Sequence, residues 1–311
     1  MIPKSNPDNT VLFCVIKNDL QRLQQFLPYY RNIGVTSFVF TDNASTDGTY
    51  EYLKEQEDVI LYSESTTYSS RNRVMWLDKM LNLHGKDKWC IVVDSDEFIS
   101  YIGFESHNIH ELIDVAVSNG YGAITGFMVE MYSESPMFSL KHFDIDSKQY
   151  FDRSGYIVSI GPHGLEVHGG PRTRLFHTGN HLAKYPVFYY CDGVHYRAAH
   201  YLNMSDTYEL SPIWIALRHF KFQTEFDLEK LKDAVADKVY YAKSRHYAPI
   251  YDYIQKRCIP TMYNYDVSRL YRNSKSLKCI NILEDPFDIR YVDRSDKSFV
   301  FIDCAKMDEN N

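Results

Sequence analysis

Apolar residues in the first hundred positions come in short blocks separated by stretches of helical spacing. Residues 11–17 read VLFCVIK, a brief β-rich run that predicts a buried strand. Behind it, Leu20, Leu23, Phe26, Leu27 and Tyr30 recur at the period of one helix face over 19–33, with Pro28 a candidate kink and Gly34 closing the helix. The pattern repeats: strand 36–41, helix 47–56 with Ser45 or Asp47 as N-cap, strand 59–62, helix 69–83, strand 89–93. Strand–helix alternation with short connections predicts the α/β class, a Rossmann-like, mostly parallel sheet with helices on both faces. Beyond residue 99 the pattern loosens. A helix at 107–119 and a strand at 123–131 precede a Gly-, Pro-, His- and Tyr-rich region, 132–212, that reads as short strands and loops. A charged helix at 226–245, a Tyr-rich helix at 247–257 and short β-like runs over 276–304 complete the chain.

In such a sheet, ligands bind beyond the C-terminal ends of the strands. Three of those ends are polar: Lys17-Asn18-Asp19, the turn Asp42-Asn43-Ala44-Ser45-Thr46-Asp47-Gly48, and Asp94-Ser95-Asp96-Glu97. The last follows the apolar run Trp89 to Val93 and clusters three carboxylates at its mouth. Like charges this close repel, and burial aggravates the repulsion. A hard divalent cation, Mg²⁺ or Mn²⁺, resolves it and prefers carboxylate oxygens with substrate phosphates. The bland alternative is that Asp94 and Asp96 cap a helix or face water. Asp42 suits ribose hydroxyls or a base N–H, whereas Asp47 reads as a helix cap.

Composition narrows the classes. The chain has 311 residues, 44% of them hydrophobic, enough for one large domain or a domain with an extension. A net charge of −7 argues against a dedicated nucleic-acid binder. The 26 Tyr and 18 Phe fit an aromatic core, and Tyr also suits sugar rings. Six scattered Cys without a C-x-x-C pair read as reduced core thiols of a cytosolic protein. Residues 1–10 lack the basic start and apolar run of a signal peptide, and no stretch is apolar enough to span a bilayer. The expected location is cytoplasmic, with peripheral contact at the inner face of the membrane open.

Together, the strand ending Ile16-Lys17-Asn18, the D-N-A-S-T-D-G-T turn at 42–49 and the V-D-S-D-E-F run at 93–98 resemble family 2 glycosyltransferases of the GT-A fold. His168-Gly169-Gly170-Pro171-Arg172-Thr173-Arg174 and Leu217-Arg218-His219-Phe220-Lys221-Phe222 resemble a bacterial branch of that family that assembles surface polysaccharide. The match runs from about 11 to 257. It implies a GT-A catalytic domain at 1–222, with a donor half near 1–100 and an acceptor half near 101–222, and an extension at 223–311 packed on it. It also implies transfer of a hexose from a nucleotide sugar, a UDP-sugar first, to a saccharide or lipid-linked saccharide, in capsule, lipopolysaccharide or exopolysaccharide synthesis. Asp94 and Asp96 would hold the cation against the diphosphate, Asp42 and Asn43 would meet the nucleoside, and Lys17, Asn18 and Ser95 would lie near it.

Further residues follow from chemistry. On an extended segment His219 and Lys221 face one side, so His219 could complete the metal shell while Lys221 meets a phosphate; the commoner fate of a lone His there is a bonded core residue. Arg172 and Arg174 share that spacing and suit a diphosphate or a salt-bridged loop. Arg71 and Arg73 open a helix, where cations oppose the dipole unless an anion, donor phosphate or Glu64, offsets the cost. In an inverting transfer one base deprotonates the acceptor. Asp192, Glu166 and Glu97 are its candidates, His200 an outsider, and the family's Glu-Asp pair is absent at Asp192. Two other readings remain open, a sugar nucleotidyltransferase and a non-catalytic saccharide-binding protein on a transferase fold. The first lacks the Gly-rich basic loop a triphosphate needs, and the intact acidic triplet weighs against the second.

Overall fold

The structure is a computed structural model that describes residues 2–161, 164–198, 200–204, 209–236 and 241–288. Its N-terminal part follows the alternation of the sequence: β1 (Thr10–Ile16), α1 (Leu20–Asn32), β2 (Phe38–Asp42), α2 (Thr49–Lys54), β3 (Val59–Ser63), α3 (Ser70–His84) and β4 (Lys88–Val92). Every residue of β1 and β2 is buried, as strands covered on both faces must be. Leu23, Phe26, Leu27 and Tyr30 of α1 are fully inaccessible to solvent, and each such burial contributes roughly 1.5–3 kcal/mol. That apolar stripe carries α1 unbroken through Pro28, so the expected kink does not divide it. Gly34 follows the helix with φ +108°, the left-handed conformation that a terminating glycine supplies.

The remaining elements are β5 (Glu97–Ser100), α4 (Ile109–Ser118), β6 (Tyr121–Glu130), β7 (Gln149–Asp152), β8 (Tyr156–Gly161), β9 (Gly164–Gly169), α5 (Gly170–Phe176), β10 (Ala183–Tyr190), β11 (His195–Ala198), β12 (Tyr201–Asn203), β13 (Glu209–His219), α6 (Glu225–Ala236), α7 (Tyr241–Lys256) and β14 (Ser268–Tyr271). Eight strands form one sheet in the order β3-β2-β1-β4-β10-β6-β13-β5. β1 to β4 are mutually parallel, β6 and β13 are parallel, and β10 and β5 run against their neighbours. Helices cover the sheet: α1 and α4 pack in one apolar cluster, α3 in another. The mostly parallel α/β sheet is therefore as expected.

Several local expectations are corrected. Region 132–212 holds β10, a central strand, which the sequence hides because Lys184 and Pro186 interrupt its apolar run. A register shift between Lys184 and Val187 accommodates that proline, which cannot donate to a ladder. β13 tolerates Pro212 beside similar irregularities. Of the helix expected at 226–245, the described residues are helical, in α6 (Glu225–Ala236) and at the start of α7 (Tyr241–Lys256), which also holds most of the Tyr-rich segment; residues 237–240 lie outside the described ones. Over Ser274–Cys279, where a β-like run was expected, there is a 3₁₀ turn, and residues from 289 on lie outside the described ones. Cys14 and Cys90 are core thiols, but Cys258 and Cys279 are exposed.

The segment after 222 is joined to the rest by specific bonds. β14 pairs with β7, the Glu284 N–H donates to the Ile213 carbonyl, and Asp227 of α6 receives Arg22 of α1 at 2.6 Å.

Candidate active site

Sheet register assembles the centre of the site. His219 at the end of β13 lies opposite Glu97 of β5 on one side and Glu130 of β6 on the other. The Phe220 N–H donates to the Asp96 carbonyl at 2.9 Å, fixing the acidic loop against the end of β13. Asp96, Glu97 and His219 thus bring ligand atoms within 4.8 Å of one another. His219 Nδ1 meets Glu130 at 2.9 Å, which leaves Nε2 facing Asp96 at 3.4 Å. A carboxylate behind a ring whose second nitrogen faces an acidic ligand is the arrangement that orients metal-binding histidines. The donor set of two carboxylates and an imidazole fits Mn²⁺ well and Mg²⁺ less well, because Mg²⁺ prefers an all-oxygen shell. Burial favours the neutral imidazole, yet Glu130 and Asp96 outweigh it and raise the His219 pKa to about 9. A bound cation would replace that proton.

Buried cations neutralise the other charges. Asp94 receives Arg73 at 2.6 Å and Lys184 at 3.0 Å. Burial opposes its charge, but those two cations hold its pKa far below the carboxylate range. Lys184 also pairs with Glu97, whose other oxygen accepts the Asp94 N–H at 3.0 Å. Burial prevails at Glu97 and raises its pKa despite Lys184. Asp96 keeps its charge against burial through Lys221, 3.5 Å away, and His219. Arg172 pairs with Glu130, where burial is likewise outweighed and the pKa falls to about 2. Behind the loop, Asp19 binds Arg22 at 2.9 Å and Lys230 at 3.0 Å and accepts the Ser95 hydroxyl. The acidic triplet is thus largely neutralised by the protein itself.

The Asp42 turn is built differently. One Asp42 oxygen accepts the Ser45 N–H at 3.0 Å, while Oδ1 is buried without a partner. Asn43 donates to the carbonyls of Glu64 and Thr66 at 3.0 and 2.8 Å and leaves its own Oδ1 buried and unpartnered. Two unmet acceptors at a strand end are costly unless a ligand donates to them. Asn18, with φ +47°, stitches this turn to the first strand end: its N–H donates to Ser45 and its side chain accepts the Thr46 N–H at 2.7 Å. Asp47 accepts from the N–H groups of Leu20 and Thr49 at the starts of α1 and α2, but the N-cap of α2 is Gly48 rather than Asp47 or Ser45.

Not every candidate joins the cluster. Lys17 and Arg71 are exposed, and Asn18 and Ser95 spend their side chains on neighbouring loops. Arg174 binds Asp152 at 3.1 Å and the Met262 carbonyl at 2.7 Å, the salt-bridged alternative. Asp192, a base candidate, stands in a turn with its side chain 93% exposed, paired with Lys86 at 3.3 Å. Glu166 is bound to His168 at 3.3 Å. Glu97 is held by Lys184 and by the Asp94 backbone N–H. Arg73 is paired with Asp94 at 2.6 Å, and Glu64 lies against Lys79 at 3.6 Å. Sequence reasoning missed Lys184, Glu130, Arg22, Asp227 and Lys230. Glu130 alone carried a usable signal, as a carboxylate ending an apolar run like the other strand ends.

No protein-family model matches the chain, and no curated protein does. Among solved structures it is similar to the crystal structure of S. aureus TarS 1-349, at 10% identity and TM-score 0.27, over 80% of this chain and 73% of that one. A likeness this low carries no argument here. Among the described residues no helix is long and apolar enough to cross a membrane.

Proposed function

We propose that the crevice at the strand ends binds a nucleotide sugar with a divalent cation and transfers its hexose to a saccharide, free or lipid-linked. The carrying observation is that one sheet holds both the open acceptors of Asp42 and Asn43 at the end of β2 and, across β1, the Asp96–Glu97–His219 donor set around the ends of β4 and β13. The Asp42 turn takes the hydroxyls or N–H of the nucleoside. Asp96 and His219 hold the Mn²⁺ or Mg²⁺, with Glu97 beside them and Asp94 fixed at their flank. Such an ion offsets the charge that gathers on a departing diphosphate. Lys221 and Arg172, drawn to the same cluster, supply fixed positive charge on that side. The transfer is a single inverting displacement, and the pathway is the assembly of a bacterial surface polysaccharide, as the sequence resemblance implies. Isothermal calorimetry with UDP, GDP and Mn²⁺ tests the reading directly. Binding that needs the metal is expected, and absence of metal-dependent binding to either diphosphate sinks it.

A further inference from the structure

With Asp192, Glu166 and Glu97 each engaged elsewhere, the proposed transfer lacks a proton acceptor. Beside Asp94 there is a small cavity of about 10 Å³ lined by Arg73, Val92, Lys184, Tyr185, Tyr196 and His200. That is close to the space one oxygen atom of a water or a hydroxyl requires. Two nitrogens of its lining residues are buried without partners, Nη1 of Arg73 and Nδ1 of His200. Arginine only donates; in the tautomer that leaves Nδ1 of His200 unprotonated, the group that completes both is an oxygen that accepts from Arg73 and donates to His200. A sugar hydroxyl has both capacities, as does water.

We propose that His200 is the catalytic base, taking the proton of the acceptor hydroxyl while Arg73 steadies the oxygen. The inference rests on the transferase reading above. The hydroxyl oxygen bonds the anomeric carbon as that carbon's bond to the diphosphate oxygen breaks. The bonding pair leaves with the nucleoside diphosphate, and the hydroxyl proton passes to Nδ1. The surroundings suit this role. His200 follows β11 at the turn into β12, and its ring centroid lies 5.6 Å from that of His181, which stacks on Tyr201 at 4.9 Å. Burial first, then Lys184 and His181, keep the His200 ring unprotonated, with Arg73 acting the same way and Asp94 opposing. His181 is itself held neutral by burial and by His168. A free imidazole lone pair is therefore available at neutral pH, and the negative charge of an incoming diphosphate would strengthen it.

The test is release of nucleoside diphosphate from a panel of UDP- and GDP-hexoses with Mn²⁺, with water or added saccharides as acceptor. His200→Ala is expected to lower kcat by about 10²–10⁴-fold, to leave the UDP dissociation constant within about threefold, and to recover rate with added imidazole. Two results overturn the proposal: a variant within about fivefold of the wild-type rate, or a rate loss matched by an equal loss of UDP affinity, which marks a structural role. A wild-type chain that binds UDP with Mn²⁺ but turns over no donor overturns it too, while leaving nucleotide binding in place. A wild-type chain that binds neither diphosphate removes the transferase reading and this inference together.

Discussion

Two strand ends of the same sheet carry carboxylates with opposite fates. Asp94, Asp96 and Glu97 are matched by Arg73, Lys184, Lys221 and His219 within the protein. Among the described residues Asp42 meets no cation, only the Ser45 N–H on one oxygen and nothing on the other. The difference separates two uses of buried charge. A neutralised carboxylate is held in place and presents geometry, whereas an open one presents unmet bonding capacity and so seeks a ligand. Sequence alone treats all four alike.

Breaking the neutralised side is expected to give the largest effect. Lys184→Met leaves the buried Glu97 carboxylate without its cation, while the part-exposed Asp94 keeps only Arg73. Losing one partner of a buried pair costs about 3–5 kcal/mol, which urea unfolding at neutral pH would measure. A cost near zero would mean that Lys184 is not the cation holding the loop. Next in size is Glu130→Gln. The amide still accepts from His219, but it loses the charge that polarises the ring and pairs with Arg172. Mn²⁺ affinity is expected to drop about 10–100-fold, read by calorimetry in the presence of UDP. Unchanged affinity would place the cation away from His219.

The legible and hidden parts of the molecule follow the same physical divide. Local information fixes β1 to β4 and the helices between them, since each apolar run and each helix stripe is complete within a dozen residues. Asp42, Asp94 and Asp96 were visible because strand ends are where such runs stop. Lys184 was hidden because it interrupts an apolar run that a proline breaks again. Its role depends on β10 lying beside β4, a pairing between segments about a hundred residues apart in the chain. The His219–Glu97–Glu130 triple arises only from the register of β13 between β5 and β6. Asp192 misled because spacing along the chain says nothing about which way a turn faces.

The open side is sharpened by Asp42→Asn. The remaining carbonyl oxygen can still accept from Ser45, while the second position becomes a donor. Stability is expected to stay level, or to rise slightly as a buried charge is removed. UDP affinity is expected to fall by about 1–3 kcal/mol, because the amide now opposes the ligand's own donors. Calorimetry and a thermal melt separate the two effects. A variant that loses stability but keeps UDP binding would make Asp42 a structural residue of the turn.

The smallest effect belongs to a pair that copies the inner geometry in a wetter place. Arg31 grips Asp58 through Nε at 2.8 Å and Nη2 at 2.6 Å, as close as Arg73 comes to Asp94, and the two carboxylates are similarly exposed, but the Arg31 side chain is 35% exposed where that of Arg73 is 5%. The hydrogen bonds from Arg31 lead, against a smaller opposing burial effect, in holding the Asp58 pKa below its usual value. A depressed carboxylate pKa stabilises the fold above the unfolded-state value, and that contribution disappears as pH falls through the folded one. Solvent screening limits it to below about 1 kcal/mol. Asp58→Asn should therefore cost little at neutral pH, and the difference from wild type should shrink away as pH falls below the ordinary carboxylate range. Should Asp58→Asn cost as much as Lys184→Met, short contact distance rather than burial would be what gives the inner ion pairs their weight.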